Sequence, residues 1–136
     1  MNTKKQQDIE FGLIEEDSIQ NKIEAVFGLL SKTSKFSPFD FKNEEYTIEL
    51  KSRRIAHNRY GSQIFGQNKL RAGWKELEKG RQPVFVFNCT DGIFYWEQKE
   101  GEYYLGNGGR YDRGKPEPQK QVFVKTQFLK CLNDLK

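Results

Sequence analysis

Histidine occurs once in this chain, at His57, and cysteine only twice, at Cys89 and Cys131. Neither cysteine belongs to a CxxC pair, so the ligand sets of structural zinc sites, histidine–metal nucleases and zinc deaminases are missing. The two cysteines read instead as buried free thiols. No apolar run approaches the roughly 20 residues needed to cross a bilayer. The opening residues, MNTKKQQDIEFG, carry two lysines with no apolar block behind them and do not read as a secretory signal. The glycine-rich GNGG at 106–109 is not a phosphate loop, because no lysine-serine follows and no helix opens from it. It reads as a surface loop, 106–118. These absences predict one soluble, intracellular domain over 1–136, with no internal repeat and residues 1–9 frayed. It is expected in the cytoplasm, or wherever host nucleic acid lies if the source is viral.

Aromatic rings and asymmetric charge are plentiful. Eleven phenylalanines and six tyrosines let a 136-residue chain, 31% charged, assemble a small core from large side chains. The net charge is +4, unevenly spread. Residues 1–30 hold three lysines against six acids, whereas residues 51–81 hold nine lysines and arginines against Glu76 and Glu78. A basic middle suits a polyanionic partner such as DNA or RNA, although a solvated surface explains scattered lysines equally well.

Hydrophobic periodicity predicts an amphipathic helix over 10–30, with Ile19, Ile23, Val26, Phe27 and Leu30 in one stripe. A linker follows at 31–37, then strands at 38–43 and 46–53 around a polar turn. Residues 54–61 make a basic loop. A second helix is expected over 62–79, with Leu70, Trp74 and Leu77 buried, Gln63 and Gln67 on the same stripe, and Gly80 as its C-terminal stop. PVFVFN at 83–88 reads as a fully buried strand. IFYWEQ, EYYLG and QVFVK follow as strands, and a short helix capped by Thr126 ends the chain. The order predicts an α/β domain with a central mixed sheet flanked by helices. Trp74 and Trp96 are expected in the core, and His57 in a loop.

The strand pair raises the functional question. Side chains alternate along a strand, so Tyr46, Ile48 and Leu50 share one face while Thr47, Glu49 and Lys51 share the other. On the preceding strand Phe39 and Phe41 are expected to point one way and Asp40 the other. Pairing the strands then sets Asp40 beside Glu49. Two adjacent carboxylates repel unless a cation lies between them. A hard divalent ion such as Mg²⁺ removes that cost. Lys51 on the same face can hold a water or a phosphate oxygen, which meets the requirements of metal-assisted phosphodiester hydrolysis. A further acid comes from the first helix. Stepping ~100° per residue from Ile19, the apolar stripe centres near ~25°, Glu16 lies near ~60°, Glu15 near ~−40°, Glu24 near ~140° and Asp17 near ~160°. Glu16 is therefore the first choice to join the site, Glu15 the second, and Glu24 is expected in solvent. Gln67 near a helix N-terminus can face a phosphate, and Lys69 can reach a nucleic-acid backbone.

Asp40, eight residues, then Glu49-Leu50-Lys51, with a helical glutamate upstream, resembles the PD-(D/E)XK, or restriction-endonuclease-like, nuclease superfamily. That group includes Holliday-junction resolvases, restriction enzymes and phage exonucleases. The element order matches over about residues 10–90. The resemblance implies a restriction-endonuclease-like core and a Mg²⁺- or Mn²⁺-dependent nuclease acting on DNA, branched DNA included. It also implies that Asp40, Glu49 and Glu16 bind the metal and that Lys51 assists the attacking water. Arg53, Arg54, Arg59, Gln67 and Lys69 would then contact the nucleic acid. Many members cut two strands as homodimers, though no dimer interface is legible here. One departure is visible: Phe39 stands between Pro38 and Asp40, where the family's proline usually abuts the aspartate. The small size and the GQNK at 66–69 also resemble nuclease-like proteins of phages and large DNA viruses.

Two other readings stand beside this one. Asp40, Glu49 and Lys51 can form a solvated ion cluster on an exposed hairpin. The fold can also serve a catalytically silent nucleic-acid-binding module. The helical wheel makes a direct prediction: Glu16→Gln lowers metal-dependent DNA cleavage more than Glu24→Gln does, measured as single-turnover rates. Equal losses would reject the wheel argument.

Overall fold

The computed structural model describes residues 18–107 and 120–132. The chain divides into two compact units, Met1–Leu30 and Ser31–Lys136.

In the first unit, residues 18–27 form helix α1. Ile19, Ile23 and Phe27 are buried at four-residue spacing, and Leu30 is buried beyond the helix end. The helix stops at Gly28, whose φ of +89° only glycine adopts cheaply. Glu24 departs from expectation. Its carboxylate accepts the Leu30 backbone N–H at 2.8 Å while Gln20 donates to the Leu30 carbonyl at 3.2 Å, so Glu24 secures the turn after the helix. The expected helix began at residue 10; residues 10–17, Glu15 and Glu16 among them, lie outside the described residues.

The second unit is an α/β assembly with a mixed sheet. Six strands lie in the order β1-β2-β3-β5-β6-β9: β1 (Ser31–Lys32), β2 (Phe41–Lys42), β3 (Tyr46–Ser52), β5 (Gln82–Cys89), β6 (Gly92–Glu97) and β9 (Lys130–Cys131). A second sheet has the order β4-β8-β7, from β4 (Ser62–Gly66), β8 (Lys120–Lys125) and β7 (Tyr103–Asn107). Among these pairings β3 with β5 is parallel and the rest are antiparallel. A parallel pair needs a crossover, and residues 53–81 supply it through β4 and helix α2 (Gln67–Glu78). α2 ends in a Schellman motif: Gly80, at φ +87°, donates to the Leu77 carbonyl, and Arg81 donates to that of Glu76.

Several expectations need correction. Residues 62–66 are strand, not the first turns of a helix. Gln63 and Phe65 alternate inward and pair with Val124 and Val122 of β8, a partner some sixty residues away. Gln63 is consequently off the stripe of α2 and donates to the His57 carbonyl at 2.9 Å. The strand expected over 38–43 is only Phe41–Lys42, because residues 37–40 bend. That bend separates Phe39 from Phe41. Phe41 pairs in register with Ile48, whereas Phe39 packs edge-on to Phe85, on the opposite face, at 6.2 Å. The linker at 31–37 opens with β1. The expected terminal helix is a 3-10 turn (Thr126–Phe128) followed by β9, and no Thr126 side-chain cap forms. Cys89 is buried and Cys131 half-buried, both as free thiols. Residues 106–107 still belong to β7, and the remainder of the expected 106–118 loop lies outside the described residues.

The core lies between the β3–β5–β6 surface and the smaller sheet, where Phe39, Phe65, Leu70, Phe85, Phe87, Trp96, Val122 and Val124 cluster. Phe65 stacks on Phe85 with ring centroids 4.2 Å apart. Trp96 is fully buried, and Trp74 packs at the cluster's edge. Gly73 of α2 admits the Gln98 side chain, whose amide donates to the Leu70 carbonyl at 3.1 Å. A Cβ at Gly73 would fall 1.9 Å from Gln98 Oε1. Gly73→Ala therefore destabilises the fold by ~1–3 kcal/mol in urea unfolding, the usual range for overpacking. Adding Gln98→Ala should recover part of that loss.

Candidate metal centre

Glu49 and Lys51 project from β3 onto the face that also carries Phe85 and Phe87, their register partners on β5. An acid here is 7% exposed. The alternation expected for Thr47, Glu49 and Lys51 holds, but the face is the core side of the sheet, not an exposed hairpin. The reading of a solvated ion cluster is thereby corrected for Glu49.

Asp40 arrives through the bend before β2. Its backbone N–H donates to the Ile48 carbonyl at 2.8 Å, and its Oδ2 accepts the Leu50 N–H at 2.8 Å. The carboxylate thus takes over as ladder acceptor where β2 has turned away, which fixes it beside Glu49 and Leu50. Burial and the neighbouring Asp40 charge push the Glu49 carboxyl above its usual range, opposed by Lys69 and Lys51. Burial pulls Lys51 below the ordinary lysine range, with Glu49 working against it.

Lys69 is the residue whose place was misjudged from sequence. It occupies the third position of α2, and its ammonium lies 2.9 Å from Glu49 Oε2 while donating to the Pro38 carbonyl. Its ammonium is turned toward Glu49 as a counter-ion. The signal was present: α2 has no acid in its first turn, and a cation there opposes the helix dipole unless a carboxylate holds it. Gln67 is the first residue of α2, at the same end.

The other expected contacts are spread more widely. The Arg53 guanidinium donates to the Ile64 carbonyl of β4, which ties the end of β3 to the smaller sheet. Arg54 and Arg59 are exposed, and Arg59 lies over the Tyr60 ring at 5.6 Å. His57 is held by Asp91, with its backbone N–H to Oδ1 at 3.0 Å and Nδ1 to Oδ2 at 2.5 Å, and it stacks on Phe94 at 3.8 Å. That hydrogen bond holds the Asp91 carboxyl below its usual range. His57 is a loop residue, as expected. Glu16 lies outside the described residues.

The donor set therefore consists of two carboxylates, on Asp40 and Glu49. Among the described residues no three acids, histidines or cysteines gather to hold a metal ion. Two carboxylates are nevertheless what Mg²⁺ commonly takes, since it keeps several of its waters. The residues present fit such an ion and do not fit a caged zinc. Among the described residues, no helix is long and apolar enough to cross a membrane. No protein-family model, curated protein or solved structure matches the chain.

The raised Glu49 pKa sets a pH dependence. Between the ordinary value of 4.5 and the raised folded value, the folded protein keeps a proton that the unfolded chain has lost. Stability therefore falls as pH rises through that window and then levels off. In EDTA, Glu49→Gln should lack this decline, so the melting temperatures of the two proteins diverge with rising pH. Parallel curves would mean that Glu49 is not held against burial and Asp40.

Proposed function

We propose that this protein is a metal-dependent nuclease that hydrolyses DNA phosphodiester bonds, with a restriction-endonuclease-like core. One observation carries the reading: Glu49 is buried on the face of β3 it shares with Lys51, beside an Asp40 fixed by the Leu50 N–H, and burial and the Asp40 charge disfavour its anion while the lysines only partly relieve it. The antiparallel β2–β3 pair, the α2 crossover and the parallel β5 support the core assignment.

Asp40 and Glu49 would hold a Mg²⁺ or Mn²⁺ ion, with Glu16 as the further ligand the family resemblance implies. Such an ion lowers the pKa of a coordinated water and screens phosphate charge. Asp40 arrives with Oδ2 fixed by the Leu50 N–H, so its carboxylate orientation is set before any ligand enters. Glu49, now paired with Lys69, would supply its carboxylate to the ion. Lys51, desolvated beside Glu49, donates to a phosphate oxygen or to the attacking water, and its cation matters most as negative charge builds on the phosphate. Lys69, once released from Glu49, supplies a second cation near the same phosphate. Arg54 and Arg59 contribute exposed charge to backbone binding, and Arg53, Gln67 and Lys69 line the approach.

The rival is a silent nucleic-acid-binding module, favoured by a specific observation: Lys69 already neutralises Glu49 without any metal. Calorimetric titration with Mn²⁺ separates the two, since the module binds nothing tighter than the millimolar range. On linear, circular, single-stranded and four-way-junction DNA with Mn²⁺, Asp40→Ala and Glu49→Ala should each abolish cleavage. Lys51→Ala should slow single-turnover cleavage on the order of 10²-fold, comparable to losing one oxyanion donor. DNA affinity in Ca²⁺ should change little, because one phosphate contact among several contributes modestly. If affinity falls in step with rate, Lys51 is a phosphate anchor and the silent module is the better reading.

A further inference from the structure

We propose that the outer face of the β4–β8–β7 sheet is a stacking platform for unpaired nucleic-acid bases. This deepens the nuclease reading by naming its substrate class, DNA with a single-stranded stretch, and it rests on that reading for cleavage but not for binding.

The register sorts the sheet into two faces. Gln63, Phe65, Val122 and Val124 turn into the core. Ile64, Phe123 and Tyr104 lie side by side on the other face, flanked by the Ser62–Lys125 and Gly66–Gln121–Gly106 positions. Tyr104 is 48% exposed. Its ring lies parallel to that of Phe123, 5° off plane with centroids 4.9 Å apart. Gly106 permits this arrangement, because a Cβ there would come within 2.8 Å of the Phe123 ring. None of the outer positions is acidic, and Lys125 is exposed.

Cations lie at one end of the sheet and along its β4 edge. Thr126 donates to the Gly61 carbonyl at 3.0 Å, which brings the Arg59–Tyr60 pair to the end of the sheet beside Lys125. Tyr60 is itself 69% exposed under the Arg59 guanidinium. At the β4 edge, Arg53 holds the Ile64 carbonyl, and Arg53 follows Lys51 by two residues. Exposed Tyr104 and Tyr60, with Arg59 and Lys125 near them and no acid at the described outer positions, match a strand whose phosphates need charge and whose bases need an aromatic face. A duplex hides its base faces, so the matching partner is an unpaired strand. The route is short: strands are about 4.8 Å apart, which puts Tyr104 roughly 10 Å from the β4 edge that Arg53 holds.

The test is fluorescence anisotropy of the full chain in EDTA, with a labelled oligothymidine and a blunt duplex of equal phosphate number. Tyr104→Ala should weaken oligothymidine binding about 5- to 150-fold, the cost of one lost base–ring stack. Duplex binding should change by less than about twofold, and Tyr104→Phe should bind like wild type. Lys125→Ala should weaken both ligands and reduce the single-strand salt slope by ~0.7. Thermal unfolding checks that the exposed Tyr104 substitution leaves the fold intact. Unchanged oligothymidine affinity in Tyr104→Ala, or an equal loss on duplex, overturns the platform. Turnover is absent in EDTA, so the two readings fail separately. A wild type that binds through Tyr104 but never cleaves sinks the nuclease alone. A chain that cleaves through Asp40 but ignores Tyr104 sinks the platform alone.

Discussion

Parallel pairing of β3 with β5 obliges the chain to leave one end of the sheet and return to the other. The seven-residue ladder from Tyr46↔Gln82 to Ser52↔Asn88 leaves no freedom in which side chains share a side. Ile48 and Val84 must face one way, and Glu49 with Phe85 the other. The crossover then lays β4 and α2 over that second side, so an acid and a lysine end beneath a helix and a second sheet. Without the ladder, Glu49 would be an ordinary surface carboxylate.

Burying Glu49 costs free energy that the surroundings only partly offset. Phe85 and Phe87 beside it remove water, and Asp40 adds a like charge. Lys69 returns one positive charge at 2.9 Å. Buried ion pairs of this kind rarely stabilise more than a well-packed apolar alternative. A site held at such a cost in so small a core is the pattern expected where chemistry requires a poised carboxylate.

The smaller sheet has a second consequence. Its inner face completes the aromatic cluster around Phe85 and Trp96. Its outer face is then left with Tyr104 and Phe123 in contact with water. The Arg53–Ile64 hydrogen bond joins this sheet to the end of β3. One element therefore closes the core, borders the acid pair and displays rings.

Alternation and apolar runs made β3, β5 and β6 legible, within about a residue at each end, since period-two burial needs no knowledge of the partner. The shared face of Glu49 and Lys51 followed from the same rule, and the glycine stop marked the end of α2 at Gly80; the place of Asp40 did not follow, because residues 37–40 bend out of the strand. β4 was not legible, because Gln63 with Gln67 also suits a helical stripe and only β8, far along the chain, makes residues 62–66 strand. The inward turn of Phe39 was hidden for a like reason: its partner, the ring of Phe85, lies on a distant strand. Lys69 looked like an outward cation because its carboxylate partner, Glu49, belongs to another element, and the acid-free first turn of α2 hints at a partner without saying which. Local pattern alone determined which residues of β3 alternate and that Glu49 shares a face with Lys51. Tertiary structure alone decided which face is covered, which lysine neutralises which acid and which rings stay bare, because those depend on pairing between segments distant along the chain.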